Sequence, residues 1–456
     1  MANIKKSLKS NKKATKLVVH PLVSQFNQSL ACYLKPNQRV LLALSGGLDS
    51  SVLLNLLVMA RQTIPFELHA MHVHHGLSSN ANIWADFCVQ QCQLLNVPIK
   101  IVHVKVDKDA KLGIEAAARQ LRYEALFDFK LNEIAPDFIL TAHHQDDQAE
   151  TLLLQLFRGA GVKGLASMAA VDETRRLMRP LLNMSRHALH EYALQYNILW
   201  CDDESNDNTQ YERNFVRHNV VPVLEVHYPS VKSVLARTAS HLAEASDLLD
   251  TLARIDADKF IQSNSLCLKG LIALDLPRAK NLLRWWFSQN QLAMPTSEYL
   301  TEIMQQLVNA KPDANIHIQL QSLCLKRYQQ RAYLCVERIA KPFDMVWNGE
   351  SHLNLPNGGQ LNFKSVIGSG LALKYGVTKL RVTNRDGGER FKPNVLRPTR
   401  TLKHLLQEAN IPPWQREHLP LIYWQDTLAL VPSIGITHEL QADEGEPGLE
   451  ITWQDT

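Results

Sequence analysis

Between residue 40 and about residue 160, short strand-like runs and longer helix-like patterns alternate four times. Residues 40–44 read as strand and 50–62 as helix. The pairs 67–74 and 81–95, 99–106 and 114–131, and 137–141 and 146–158 repeat that order. Such alternation is satisfied by a parallel sheet covered by helices on both faces. The expected fold class is therefore α/β, a doubly wound, Rossmann-like sheet. Ligands of such sheets bind at the carboxyl ends of the strands. The polar motifs fall there: Ser45–Ser50 after the first strand, His72–His75 after the second and Thr141–Asp147 after the fourth.

The rest of the chain reads differently. Residues 225–310 are helical in pattern, 314–338 alternate like strands, and the last hundred residues carry Asn357-Gly358-Gly359 and Asp386-Gly387-Gly388 turns. The expected division is a basic, flexible extension over 1–35, a nucleotide-binding catalytic domain over 36–225, a mainly helical domain over 226–345 and a small α+β domain over 346–456. The net charge of +4 is misleading, because Lys5, Lys6, Lys9, Lys12, Lys13 and Lys16 supply six positive charges. Without them the chain is near −2, so any nucleic-acid surface must come from local patches. Seven scattered cysteines with no Cys-x-x-Cys pair do not make a disulfide framework and suit a reducing cytoplasm. No apolar run approaches the ~18 residues of a membrane span, and none near the N-terminus resembles a signal peptide.

The hexapeptide Ser45-Gly46-Gly47-Leu48-Asp49-Ser50 lies between an apolar run and a helical pattern. Strand, glycine turn and helix would aim backbone N–H groups at an anion, and glycine lets a phosphate approach closely. The Gly-x-x-x-x-Gly-Lys-Ser/Thr spacing of a Walker loop is missing. Asp49 would repel a phosphate unless it held a metal ion or a substrate cation.

In Thr141-Ala142-His143-His144-Gln145-Asp146-Asp147 and on to Glu150-Thr151, a helix starting near Gln145 would put Asp146 and Glu150 on one face, with Asp147 elsewhere on the first turn. With Asp49 and His143, these carboxylates could hold Mg²⁺ on ATP phosphates or a cationic substrate. Zinc is the competing metal, and acidic helix capping the structural alternative. Arg119 and Arg122, i,i+3 on one helical turn, suit a phosphate or carboxylate. His72, with His74 and His75, points to an adenine or substrate pocket, or to loop packing. Arg158 and Lys163 flank a glycine-rich segment, and Arg213 and Arg217 follow an acidic loop at 202–208. The first could form a mobile phosphate-contacting loop, the second could set acidic and basic groups on a shared cleft, and either could simply be solvated.

The order of motifs resembles the tRNA(Ile)-lysidine synthetase family, a branch of the PP-loop ATP pyrophosphatases. It runs Ser-Gly-Gly-Leu-Asp-Ser, His-Val-His-His-Gly-Leu, Glu-Ala-Ala-Ala-Arg-x-x-Arg-Tyr, His-His-x-Asp-Asp-Gln-Ala-Glu-Thr, Arg-Gly-Ala-Gly, Arg-Pro-Leu-Leu, Asp-Glu-Ser-Asn and Arg-Asn-x-x-Arg. It returns in residues 385–393, 401–408 and 411–416. The resemblance implies a ligase that spends ATP, with Mg²⁺, to adenylate C2 of the first anticodon cytidine of an isoleucine tRNA with a CAU anticodon. The ε-amine of L-lysine then displaces AMP. Ser45, Gly46, Gly47, Leu48, Asp49, Ser50 and His72 would bind ATP. Asp49 and Asp147 would hold the metal, and Asp49 would hold either the metal or the lysine ammonium. Arg119 or Arg122 would touch the α-phosphate, and His143, Asp146, Asp147 and Glu150 would form an acidic wall for lysine and magnesium. Arg158, Lys163, Arg213, Arg217, Arg385, Arg390, Lys392 and Lys403 would contact tRNA, with Trp285 and Trp286 offered as stacking surfaces. The resemblance leaves a homodimer open. The rivals are a tRNA cytidine thiolase of the same fold, against which the lack of paired cysteines counts, and a nucleotide-gated tRNA-binding protein.

Overall fold

The computed structural model describes residues 20–454 except 108–112, 132, 312–315 and 397. The lysine-rich stretch therefore lies outside the described residues. The chain divides into two compact units, residues 1–251 and 252–456.

The first unit opens with α1 (Pro21–Ala31). The flexible extension expected over 1–35 is corrected here for its second half. Leu22, Phe26 and Leu30 recur at i, i+4 and i+8, the stripe of an amphipathic helix, and all three are buried in the main core. The sheet follows with β1 (Arg39–Ala43), α2 (Leu48–Ala60), β2 (Glu67–His74), α3 (Ala81–Leu94), β3 (Ile99–His103), α4 (Ile114–Phe127), β4 (Phe138–Leu140) and α5 (Gln145–Phe157). A short α6 (Val162–Leu165) leads to β5 (Val171–Asp172) and β6 (Leu177–Met178), and then α7 (Arg186–Gln195).

The strand order is β3-β2-β1-β4-β6-β5. All neighbours are parallel except β5, which runs antiparallel to β6. The expected α/β class is what the chain adopts. Alternate strand residues supply two cores, because side chains of a strand point to opposite faces. Val40 and Leu42 face the larger core with α1, α2, α3 and α7, whereas Leu41, Met71 and Ile139 meet Leu126 and Phe129 at the α4 side. Helix α2 is apolar nearly all round, with Leu48, Val52, Leu53, Leu54, Leu56 and Leu57 buried. Such a helix belongs in the interior, which fixes its N-terminus at the carboxyl end of β1.

After α7 come α8 (Glu212–Phe215), a π-helical turn at Val216–Val220, α9 (Val221–His227) and the long α10 (Val231–Phe260), which crosses from one unit to the other. Leu153 of α5 packs with Val216, Val221, Leu224 and Leu235, so this helical stretch is seated on α5.

In the second unit, β7 (Ile261–Gln262), β8 (Ser265–Cys267), β9 (His317–Leu320), β10 (Leu323–Tyr328) and β11 (Arg331–Cys335) make an antiparallel sheet in the order β7-β8-β11-β10-β9. Helices α11 (Leu268–Ala273), α12 (Leu276–Gln289) and α13 (Ser297–Asn309) share its core. Trp286 is 1% exposed in that core and donates to Asn264 Oδ1 at 3.1 Å, so it offers no face to a base. The C-terminal residues form antiparallel sheets of five and four strands with a helix at Leu402–Glu408. Among the described residues, no helix is long and apolar enough to cross a membrane.

Candidate active site

The loop between β1 and α2 is held by its own serine. Ser50 Oγ accepts from the Ser45 and Gly46 N–H groups, each at 3.2 Å, and donates to the Gly47 carbonyl at 3.1 Å. Gly46 sits at φ +85°, a left-handed conformation that a Cβ would strain, and an added Cβ would lie 3.0 Å from Cys88 Sγ. Gly47 is the N-cap of α2 and supplies no side-chain cap. The first helical N–H groups, of Leu48, Asp49 and Ser50, are therefore left for an external acceptor. Together with the helix dipole, that is an anion site. His72 closes the loop from behind: it is 5% exposed and its Nδ1 bonds the Leu44 carbonyl at 2.9 Å. Burial, above all, keeps its ring below the usual histidine pKa.

The end of β4 presents the opposite charge. Helix α5 begins at Gln145 as expected, but its carboxylates are not shared as the helical spacing suggests. Asp146 turns away from Glu150: its Oδ1 accepts the Arg186 N–H at 3.0 Å and its Oδ2 lies 3.1 Å from Lys232 Nζ. Asp147 and Glu150 are the pair that share partners. Arg213 Nη2 reaches Asp147 Oδ1 at 2.8 Å and its Nε reaches Glu150 Oε2 at 2.9 Å. Arg217 spans the same two acids, with Nε 2.6 Å from Glu150 Oε1 and Nη2 3.3 Å from Asp147 Oδ1. The π-helical turn brings these arginines, i,i+4 in sequence, onto two acids that are i,i+3. Both were expected on tRNA phosphates. The Nε and Nη2 groups of each instead bond carboxylates that are almost fully buried.

Behind them lies His144, which sequence reasoning passed over in favour of His143. His144 is 2% exposed; its Nε2 is 3.4 Å from Asp147 Oδ2 and 3.6 Å from Asp49 Oδ2. Burial works against its proton, but Asp147, Asp49 and Asp146 overcome burial and raise its pKa. For Asp147, burial is likewise overcome, by His144 and Arg213, and its carboxyl is held well below the usual range. His143 behaves oppositely. It bonds Thr141 Oγ1 at 2.8 Å, and burial depresses it to about 3. The signal for His144 was present in the sequence: as N-cap of α5 it must face whatever its first-turn acids face.

Four carboxylates, Asp49, Asp146, Asp147 and Glu150, thus meet three cations, Arg213, Arg217 and Lys232, and His144, whose pKa the three aspartates raise. Both Asp147 oxygens already have protein partners, Oδ2 the His144 backbone N–H at 3.0 Å, so a metal ion there would compete with Arg213 and Arg217. One oxygen stands apart. Asp49 Oδ1 is buried with no hydrogen-bond partner among the described residues. A buried carboxylate oxygen left unmatched is costly, and it lies beside the anion site of α2.

Arg119 is exposed on α4, with its guanidinium 5.4 Å from the Tyr123 ring. It is joined by the arginine of the Arg-Pro-Leu-Leu motif, to which the sequence assigns no role. Arg179, 8% exposed, donates to the Ala169 carbonyl at 2.7 Å, and its Nε has no partner among the described residues. Burial first, and also Arg119, lower its pKa, so the two cations feel one another near His143. Arg122 acts on the other side, helping burial to hold His75 near 4.

The remaining expected tRNA contacts lie elsewhere. Arg158 is exposed and ion-pairs with Glu212, and Lys163 is exposed on α6. Arg385 pairs with Glu389 at 3.2 Å. Arg390 lies on a short hairpin of Arg390–Phe391 with Arg400–Thr401, Lys392 follows it, and Lys403 is exposed on the adjoining helix. These last three have no acidic partner among the described residues.

A glycine-turned helix N-terminus facing a compensated acidic cluster, at the carboxyl ends of β1 and β4, marks a PP-loop protein, and the family model described as the PP-loop domain matches residues 12–224. Models of the TilS substrate binding domain and the TilS substrate C-terminal domain match residues 266–333 and 380–453. A tRNA(Ile)-lysidine synthase of Nitrosomonas europaea is 40% identical over 437 residues, covering 94% of each chain. That of Serratia proteamaculans is 38% identical, covering 94% of this chain and 99% of its own. The chain belongs to the tRNA(Ile)-lysidine synthase family. Among solved structures, a U34-tRNA thiolase from Methanococcus maripaludis shares 21% identity at a TM-score of 0.41, covering 49% of this chain and 77% of its own.

Proposed function

We infer that this chain is a ligase that adenylates the first anticodon cytidine of an AUA-reading isoleucine tRNA and joins L-lysine to it. ATP is its substrate and a tRNA its partner. The single observation that carries the assignment of the site is the open N-terminus of α2 beside the unpartnered Asp49 oxygen. The triphosphate would lie along the Leu48, Asp49 and Ser50 N–H groups. Those dipoles are fixed before reaction, so they stabilise charge on the departing pyrophosphate without reorganising. Arg119 and Arg179 would lie against the α-phosphate, where cytidine O2 attacks. The ε-amine of lysine then adds to C2, loses a proton, and AMP leaves with its oxygen.

The chemistry of the donors fits Mg²⁺ at Asp49, since that ion typically uses one or two carboxylates plus phosphate oxygens. Bound there, it would neutralise phosphate charge and polarise the α-phosphate. The same oxygen is the place for the lysine ammonium once pyrophosphate has gone. Asp147 and Glu150, locked by Arg213 and Arg217, would shape the pocket rather than open it. Residues 226–345 and 346–456 would carry the tRNA, with Arg390, Lys392 and Lys403 on its phosphates. We place the protein in the cytoplasm, where its substrates are.

The test incubates purified protein with ATP, radiolabelled lysine and the CAU-anticodon tRNA. Label attached to the anticodon cytidine, with AMP and pyrophosphate released and each product dependent on tRNA, is the expected outcome. Pyrophosphate release with tRNA but no lysine attachment would overturn the reading in favour of another base-modifying chemistry.

A further inference from the structure

The outer face of the five-stranded sheet in the second unit carries a second constellation, remote in chemistry from phosphate transfer. Side chains directly opposite each other in an antiparallel pair lie on one face. Gln319 is opposite Cys324, and His317 is opposite Lys326, so His317 and Cys324 share a face across β9 and β10. Cys335 is opposite Cys324 on the other side, and Glu337 follows two residues after Cys335. The result brings an imidazole, a thiol and a carboxylate together. His317 Nε2 is 3.3 Å from Glu337 Oε1, and Cys324 Sγ is 3.7 Å from Glu337 Oε2. One ligand atom from each of the three lies within 4.8 Å of the others.

The 3.3 and 3.7 Å separations, made here as an ion pair and a thiol hydrogen bond, also fall in the range of the edges of a metal's coordination shell. Zinc binds nitrogen, oxygen and sulfur at roughly 2.0–2.3 Å in a tetrahedron, whose edges are then about 3.3–3.7 Å. The donors are mixed in softness, which suits zinc rather than magnesium or calcium. Access is built in: Cys324 is fully buried, whereas the His317 and Glu337 side chains are 43% and 51% exposed. An ion could enter from solvent and keep a water as its fourth ligand. The thiol now donates to Gln319 Oε1 at 2.8 Å, a bond that the thiolate form would give up.

We propose that His317, Cys324 and Glu337 form a binding site for a zinc-like divalent cation. The ion would tie β9, β10 and the segment leaving β11 together, and would fix that sheet without taking part in the ligation chemistry.

The experiment uses the full chain, stripped with chelator and then titrated with Co²⁺ in excess Mg²⁺, which keeps hard-ligand sites filled. One equivalent of Co²⁺ should produce a thiolate-to-cobalt charge-transfer band. The band should vanish in Cys324→Ser and persist in Cys32→Ser, whose cysteine is exposed elsewhere. His317→Ala and Glu337→Gln change exposed side chains that the fold tolerates, and each should weaken binding at least about tenfold. No band at stoichiometric Co²⁺ in the folded protein would overturn the proposal. So would a band of undiminished affinity in both His317→Ala and Glu337→Gln.

Discussion

The ends of β1 and β4 are the same local architecture, a parallel strand turning into a helix, yet they carry opposite electrostatics. At β1 the turn is glycine, the helix is mostly buried and has no side-chain cap, and its first N–H groups are left without one. At β4 the turn is histidine, and Asp147 reaches back to the His144 N–H, so the helix start is closed by its own acids. Those acids are then neutralised by Arg213, Arg217, Lys232 and His144. One end is left unsatisfied and open to a ligand. The other is satisfied internally and forms a rigid wall. Asp49 joins them, with one oxygen near His144 and the other unmatched. A cluster of carboxylates is thus a poor guide to a cation site until its counter-charges are placed.

The largest effect should come from breaking the wall. Glu150→Gln removes the charge from an almost fully buried carboxylate and leaves two guanidinium groups under-compensated. Losing one partner of a buried ion pair costs about 3–5 kcal/mol. The arginines' partial exposure reduces this to about 2–3 kcal/mol, to be read from urea denaturation. A stability equal to wild type would mean that the network is not what holds α8 and the π-turn to α5.

The next effect lies at the open end. Gly46→Ala forces a side chain into a left-handed conformation against Cys88, at a cost of about 1–3 kcal/mol. The KM for ATP should rise, whereas the KM for lysine should move less. An equal rise in both would erase the distinction between the two strand ends.

The smallest effect is a pH dependence, and the two histidines give it opposite signs. His144 holds its proton more tightly when folded than at the unfolded value of 6.5. Its contribution is complete below pH 6.5 and is lost as pH rises through the raised folded value. The stability gap between wild type and His144→Gln should therefore narrow with rising pH. His143, depressed to about 3, penalises folding as pH falls from 6.5 toward 3, so wild type should lose ground to His143→Gln over that range. Melting curves of the three proteins across pH 4–9 check both signs.

The sheet was legible because each strand and helix of the first unit carries its own period, and β2 fits residue for residue. Strands β5 and β6 were not, since two residues have no period and are defined only by pairing, β6 with β4 and β5 with β6. Helix α1 was hidden by the charge of the tail before it. In the site, Ser45–Ser50 announced themselves by composition and spacing. The roles of Asp146 and Asp147 did not, because they depend on Lys232 and Arg213, which lie 86 and 66 residues away in sequence. Trp286 looked like a stacking surface only while its burial was unknown.

The central claim is that Asp49 supplies the cation-binding oxygen of the nucleotide end. Its most direct test is tRNA-dependent pyrophosphate release, measured against Mg²⁺ concentration, in wild type and Asp49→Asn. The account predicts a fall of about a hundredfold or more at saturating ATP, and a Mg²⁺ requirement shifted to higher concentration, with the melting temperature little changed. An Asp49→Asn protein with wild-type rate and wild-type Mg²⁺ dependence would contradict it.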